Sequence, residues 1–156
     1  MRPEPQEPLG PRAATLFGVR QAVWALPVLL VAVAIADAIR EDSALAALVL
    51  VLAAVAVAVV GCGVVPRLRA RRFRWALRKE ELELVHGAVV ETRTLVPVAR
   101  IQHVDVRRTP ASRAFGLADL LVHTAAGTTT VPALADHRAL EARDTLAELA
   151  REPDEL

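Results

Sequence analysis

The chain has 156 residues, of which 54% are hydrophobic but only 3% aromatic, with 24% charged and a single cysteine, so its apolar mass is alanine, valine and leucine. That excludes a disordered tail protein and a disulfide scaffold. Nineteen basic residues against eighteen acidic ones leave a formal charge of +1, which removes any global case for nucleic acid. The charge is instead segregated along the chain, and that segregation carries most of the information.

In chain order, the stretch through Ala14 holds four of the ten prolines and reads as a disordered leader, residues 1–17. From Gln21 to Ala36 sixteen residues are uncharged, and from Ser43 to Pro66 twenty-four. Both predict membrane-spanning helices, at about 20–38 and 43–66, in a hairpin over 18–66. At 1.5 Å per residue the second covers about 36 Å, enough to cross a ~30 Å hydrocarbon core. The first covers about 24 Å and spans if Arg20 snorkels and Asp37 sits at the far interface, with Trp24 anchoring among the headgroups. Pro27 falls in the first turns, where a missing N–H does least harm. The connection from Asp37 to Asp42 is too short for anything but an antiparallel hairpin. Ala36-Asp37-Ala38 has the small-x-small form of a signal-peptidase site, but Glu4 and Glu7 dilute the preceding positive region and a second span follows at once.

Orientation follows from the basic residues. Arg67, Arg69, Arg71, Arg72, Arg74, Arg78 and Lys79 form a juxtamembrane strip without an acid, whereas the hairpin connection has Arg40 among three acids. Positive-inside places the strip in the cytoplasm, and Arg2, Arg12 and Arg20 agree, so both termini are expected at the cytoplasmic face of the plasma (inner) membrane. Cys62 lies in the second span with no partner thiol or histidine at its depth. Ala54, Ala58 and Cys62 repeat small side chains every four residues, which lets helices approach closely, within the hairpin or between copies.

Beyond Lys79 the chain turns acidic, with eight arginines against thirteen acids. Phe73, Trp75 and Leu77 alternate with charged and small residues, as do Leu82 and Leu84, predicting two strands turning at Lys79-Glu80. His86-Gly87 closes the second. Val89 to Val98 offers a third strand, broken at Pro97. Val104 and Val106 alternate in a fourth, with Ile101 out of phase, which predicts a bulge near Arg100. Leu120, Val122 and Thr124 begin a strand that turns at Ala126-Gly127 into Thr128, Thr130 and Pro132. From His137 to Ala150 the period changes to that of an amphipathic helix, with Asp136 as N-cap. The expected fold is a two-helix transmembrane hairpin followed by an α+β domain over 71–150, a curved antiparallel sheet capped by a C-terminal helix, with a tail at 151–156.

This order of pieces resembles a bacterial pleckstrin-homology (PH) domain of the YdbS-like membrane-protein type, over roughly residues 18 to 150. The carriers are Arg72-Phe73-Arg74-Trp75, Val85-His86-Gly87, the run from Val96 to Val104, and Arg113-Ala114-Phe115-Gly116-Leu117-Ala118. The resemblance implies a β sandwich or partly open barrel with a C-terminal helix, and no catalytic signature. Eukaryotic PH domains that hold phosphoinositides present spaced basic residues around the first hairpin; here Arg78-Lys79 runs into Glu80, Glu81 and Glu83.

No glycine-rich phosphate loop, paired-cysteine motif or His-Glu-x-x-His run is present. His86, His103, His123 and His137 are dispersed; His103 and Asp105 have ligand-like spacing but read as a hydrated strand face, so no metal, cofactor or catalytic residue is expected. Ser112, His123 and Asp119 supply the residue types of a hydrolytic triad without nucleophile-elbow glycines. Arg107, Arg108 and Arg113 bracket a loop, Thr109-Pro110-Ala111-Ser112, and are the candidate contacts for an anionic lipid or an acidic partner. The functional expectation is a non-enzymatic integral membrane protein that presents a PH-like domain for protein–protein interaction or membrane assembly, with a membrane-protein partner or self-association. The alternatives are an anionic-lipid sensor and an accessory subunit of a membrane enzyme or transporter. Nucleic acid is not expected, since stacking aromatics are missing from this cluster.

Overall fold

The computed structural model describes residues 5–87 and 90–150. The first residue of the expected third strand, Val89, and the 151–156 tail lie outside them. The chain divides into two compact units, Ala14–Leu68 and a second assembled from Met1–Ala13 with Arg69–Leu156.

The first unit is the hairpin. Helix α1 runs Ala13–Ile39, and the second helical stretch runs as α2 (Ala44–Val59), a π-helical turn (Val60–Val64) and α3 (Val65–Arg72). Both extend further than the uncharged runs, because arginine is a good helix former. Ser43 caps α2 by accepting from the Ala46 N–H. Trp24, Leu26, Val28 and Leu30 on α1, and Leu45, Leu48, Leu52 and Val57 on α2, are exposed. Helices this apolar with unburied faces need lipid as their solvent. The two helices touch at Gly18, where a Cβ would stand 2.7 Å from the Cys62 carbonyl oxygen. The close approach anticipated at Cys62 is therefore made within the hairpin, against a glycine. The π turn offsets the backbone pattern there, and Arg67 donates from Nη1 to the Gly63 carbonyl at 2.9 Å.

The second unit has two three-stranded antiparallel sheets, β1-β2-β3 and β4-β5-β6. The strands are β1 (Arg74–Leu77), β2 (Glu81–His86), β3 (Thr92–Pro97), β4 (Ile101–Arg107), β5 (Leu117–Thr124) and β6 (Gly127–Ala135). Pro97 ends β3, an edge strand, as a residue lacking an N–H must. A short 3₁₀ turn over Val98–Arg100 and a register shift between Ile101 and His103 account for the phase break expected near Arg100. Leu82, Leu84 and Trp75 of the first sheet and Leu120, Val122 and Val131 of the second are buried, as are Ala139, Ala142 and Leu146 of the terminal helix α5 (Asp136–Leu149), which lies against β4, β5 and β6.

Three local expectations change. The proline-rich leader predicted as disordered is, from Pro5 on, held along the domain. Glu7 pairs antiparallel with Trp75 through backbone hydrogen bonds of 3.1 and 3.0 Å, the Gly10 N–H donates to Ala133 at 2.9 Å, and Leu9 and Ala13 are buried. The reason is that β1 and β6 are sheet edges whose unpaired backbone groups favour a partner, which composition does not register. Gly10 is required there, since a Cβ would collide with Leu117 and the Ala133 backbone. Second, the loop at Thr109 opens a short helix, α4 (Pro110–Ala114), in which Thr109 and Ser112 form a reciprocal capping box and Ser112 is buried. Third, Asp136 is the first residue of α5 and caps nothing; its carboxylate is drawn to Arg108 instead.

Candidate functional site

Part of the arginine-rich strip lies at the outer face of the first sheet. Arg74 lies opposite Val85, and Val85 opposite Arg93, so the two guanidinium-bearing residues flank one valine in a row across three strands. On the same face Glu83 is buried; Arg78 Nη2 stands 3.0 Å from its Oε2 and Arg93 Nη1 3.6 Å from its Oε1. A carboxylate this buried persists only because cations neutralise it from both sides. The row leaves a groove of about 470 Å³ lined by Arg71, Arg72, Arg74 and Arg93 with His86 and Glu91. Arg93 also approaches Glu91, at 3.5 Å. The His86 ring stacks on Phe73 at 6.0 Å, and its buried Nδ1 has no hydrogen-bond partner among the described residues. Gly87, at φ +128°, turns the chain at the groove's edge. Four guanidinium groups, with Glu91 in the lining and Glu83 against Arg93, leave a cationic excess that suits this groove to an anion with several oxygens.

The residues of the basic strip thus have different placements. Arg71, Arg72 and Arg74 line the groove, Arg78 pairs with Glu81 and Glu83, and Lys79 lies with Arg138 and Trp75 beside a second hollow. Arg67 is bonded to the Gly63 carbonyl and Arg69 accepts the Phe73 N–H through its backbone at the end of α3. Of the three candidate contacts around α4, Arg108 makes a two-pronged contact with Asp136 at 2.5 and 3.2 Å, Arg107 stands 3.7 Å from the buried Asp119, and Arg113 sits in the last turn of α4. The hydrogen bond from Arg108 holds the Asp136 carboxyl below its ordinary range. Of the triad types, Ser112 Oγ is engaged with Thr109, Asp119 accepts from the Ala133 N–H at 2.9 Å, and His123 faces Asp105 at 3.2 Å.

Arg93 and His86 escaped sequence reasoning as site residues. Their membership depends on which residues lie opposite across β1, β2 and β3; the alternating pattern of each strand was visible but its register was not.

Comparison with known proteins agrees with this architecture. The sequence model of the family described as Bacterial PH domain matches residues 17–150. The UPF0699 transmembrane protein YdbS of Bacillus subtilis (strain 168) is 33% identical over 97 residues, which are 62% of this chain and 61% of that protein. The chain therefore matches less than two thirds of the length of this relative. No solved structure matches. With a two-helix membrane hairpin, two antiparallel sheets and a terminal helix, matched by that family over most of its length, the chain is a membrane protein that belongs to the bacterial PH domain family.

Proposed function

We propose that the protein is a non-enzymatic module of the plasma membrane whose PH-like domain, on the cytoplasmic side, binds anionic phospholipid headgroups in the groove of Arg71, Arg72, Arg74 and Arg93. The groove itself carries this reading: four guanidinium groups from α3, β1 and β3 converge around one cavity. Arg71 and Arg72 follow the last uncharged residue of the second span, Pro66, by five and six positions. Cations so near an anionic leaflet each contribute on the order of 1 kcal/mol of attraction, and a groove adds directed bonds to phosphate oxygens. The pairing of Glu7 with Trp75 supports the topology, since the segments before and after the hairpin can share a sheet only from the same side of the membrane. The excess of basic residues selects the cytoplasmic side.

The test is native mass spectrometry of the full chain released from bilayers of mixed phosphatidylcholine and phosphatidylglycerol. Retention of phosphatidylglycerol, lost in an Arg71→Ala/Arg74→Ala variant and kept in an Arg107→Ala/Arg113→Ala variant, is the expected result. Equal retention of both lipids rejects the reading, and loss only in the second variant transfers the site to α4.

Assembly with a membrane-protein partner or a second copy is the other reading, and the edge strand β3 favours it. β3 ends the first sheet, and Leu95 on it is half exposed. Such an edge can accept a strand from another chain. Crosslinking of the full chain in native membranes, repeated with Thr94→Pro on that edge, tests it; unchanged crosslinks reject β3 as the interface.

A further inference from the structure

On the outer face of the second sheet, the strand register brings together three residues from three strands. His103 of β4 lies directly opposite His123 of β5, and His123 lies opposite Thr128 of β6, so the three form a row across the sheet. Asp105, two residues along β4 from His103, stands on the same face. Its Oδ2 is 3.2 Å from His123 Nε2 and 3.8 Å from His103 Nε2, and the ligand atoms of all three residues lie within 4.8 Å of one another.

We propose that His103, Asp105 and His123 form a binding site for a divalent late first-row transition ion, with zinc as the probe ion. Donor atoms about 2.0–2.1 Å from a tetrahedral zinc stand about 3.3 Å apart, close to the 3.2 Å between His123 Nε2 and Asp105 Oδ2, while the 3.8 Å from that oxygen to His103 Nε2 must shorten. Two borderline imidazoles beside one hard carboxylate suit zinc, nickel or copper over calcium or magnesium. A second feature addresses the tautomer. Thr128 Oγ1 is 2.9 Å from His123 Nδ1. When Nδ1–H donates to that hydroxyl, Nε2 presents a lone pair toward the Asp105 carboxylate, and two acceptors 3.2 Å apart repel unless a cation lies between them. His123 Nε2 is buried, and apart from its 3.2 Å approach to Asp105 it makes no directed hydrogen bond among the described residues.

The two rings stack at 4.1 Å with 12° between their planes. Convergence on one ion requires a ring to turn, and His103, with 61% of its side chain exposed, has room to do so. Three protein ligands on an open sheet face leave a fourth position for water or a donor from another molecule. The site lies on the second sheet and does not depend on the headgroup reading of the first.

Zinc titration of the full chain in detergent micelles, after treatment with a chelator and its removal, tests the proposal. Calorimetry should show saturation at one equivalent. His103→Ala and His123→Ala should each weaken binding by more than about 10-fold, and Thr128→Val should weaken it by about 10-fold without changing the stoichiometry. His86→Ala and His137→Ala should bind as the parent does. Should a variant fail to fold, the parent's four histidine ring resonances decide: one equivalent of zinc should move those of His103 and His123 and leave the other two in place. An absence of saturable binding below about 1 mM, binding that survives the His103→Ala/His123→Ala double substitution, or ring signals of this pair that stay put would overturn the proposal and leave a histidine–aspartate ion pair.

Discussion

The hairpin and the domain are built from the same side chains and use them oppositely. In the hairpin, valines and leucines such as Val55, Val57, Leu48 and Leu52 turn outward, and Ala47 on α2 is buried. In the domain, Leu82, Leu84, Leu120, Leu134 and Leu146 are buried almost completely, while arginines and acids take the outer faces. What differs is the solvent each was selected against. In water, burial of apolar surface drives folding; in a bilayer that drive is absent between helices, and close contact at small residues such as Gly18 takes its place.

Exchanging these rules between regions should produce the largest effects. Leu84→Ala in the domain should cost about 2–5 kcal/mol of domain stability through transfer and cavity terms, read as a lower unfolding midpoint, with membrane insertion unaffected. Val55→Arg should do the reverse, at about 2.5–3.5 kcal/mol near the centre of a span, read as a loss of carbonate-resistant protein. Equal damage to both readouts from either substitution would dissolve the distinction.

A smaller effect tests the polar interior that only the domain has. Asp119 is buried and accepts from Ala133, whose φ of 52° and the register shift between Ala118 and Leu120 mark a bulge. Asp119→Ala should cost about 1–3 kcal/mol by orphaning that N–H. Ala133→Gly should cost nothing or stabilise by up to about 1 kcal/mol, because an L side chain is strained at this φ. The smallest effect concerns Asp136, whose pKa is lowered chiefly by the Arg108 hydrogen bond. A lowered carboxyl contributes stability above its unfolded pKa and loses it as pH falls through the folded value. The parent should therefore be slightly more stable than Asp136→Asn at neutral pH, and the difference should vanish below the ordinary carboxylate range.

Much of this contrast could be read from the chain. Uncharged runs and the arginine strip define the hairpin, and alternation at Leu82 and Leu84 or a Gly at 127 marks strands and turns, because those preferences are local. What stayed hidden depends on pairing between distant residues. The row Arg74–Val85–Arg93, the row His103–His123–Thr128 and the ion pair Arg108–Asp136 are products of register and of α5 packing on the second sheet, which no single segment encodes. The order of the leader is hidden for the same reason: its proline content describes it as a peptide poor in apolar surface and says nothing of the strand edges at Trp75 and Ala133.

That strap also constrains the order of events during synthesis. Residues 7–10 leave the ribosome before both membrane helices, and β1 and β6, whose edges they complete, leave it after them. That segment must therefore remain unpaired on the side where translation continues until the hairpin has entered the bilayer. A fragment begun at the arginine strip would lack that strap, leaving the backbone at Trp75 and Ala133 open to neighbouring molecules.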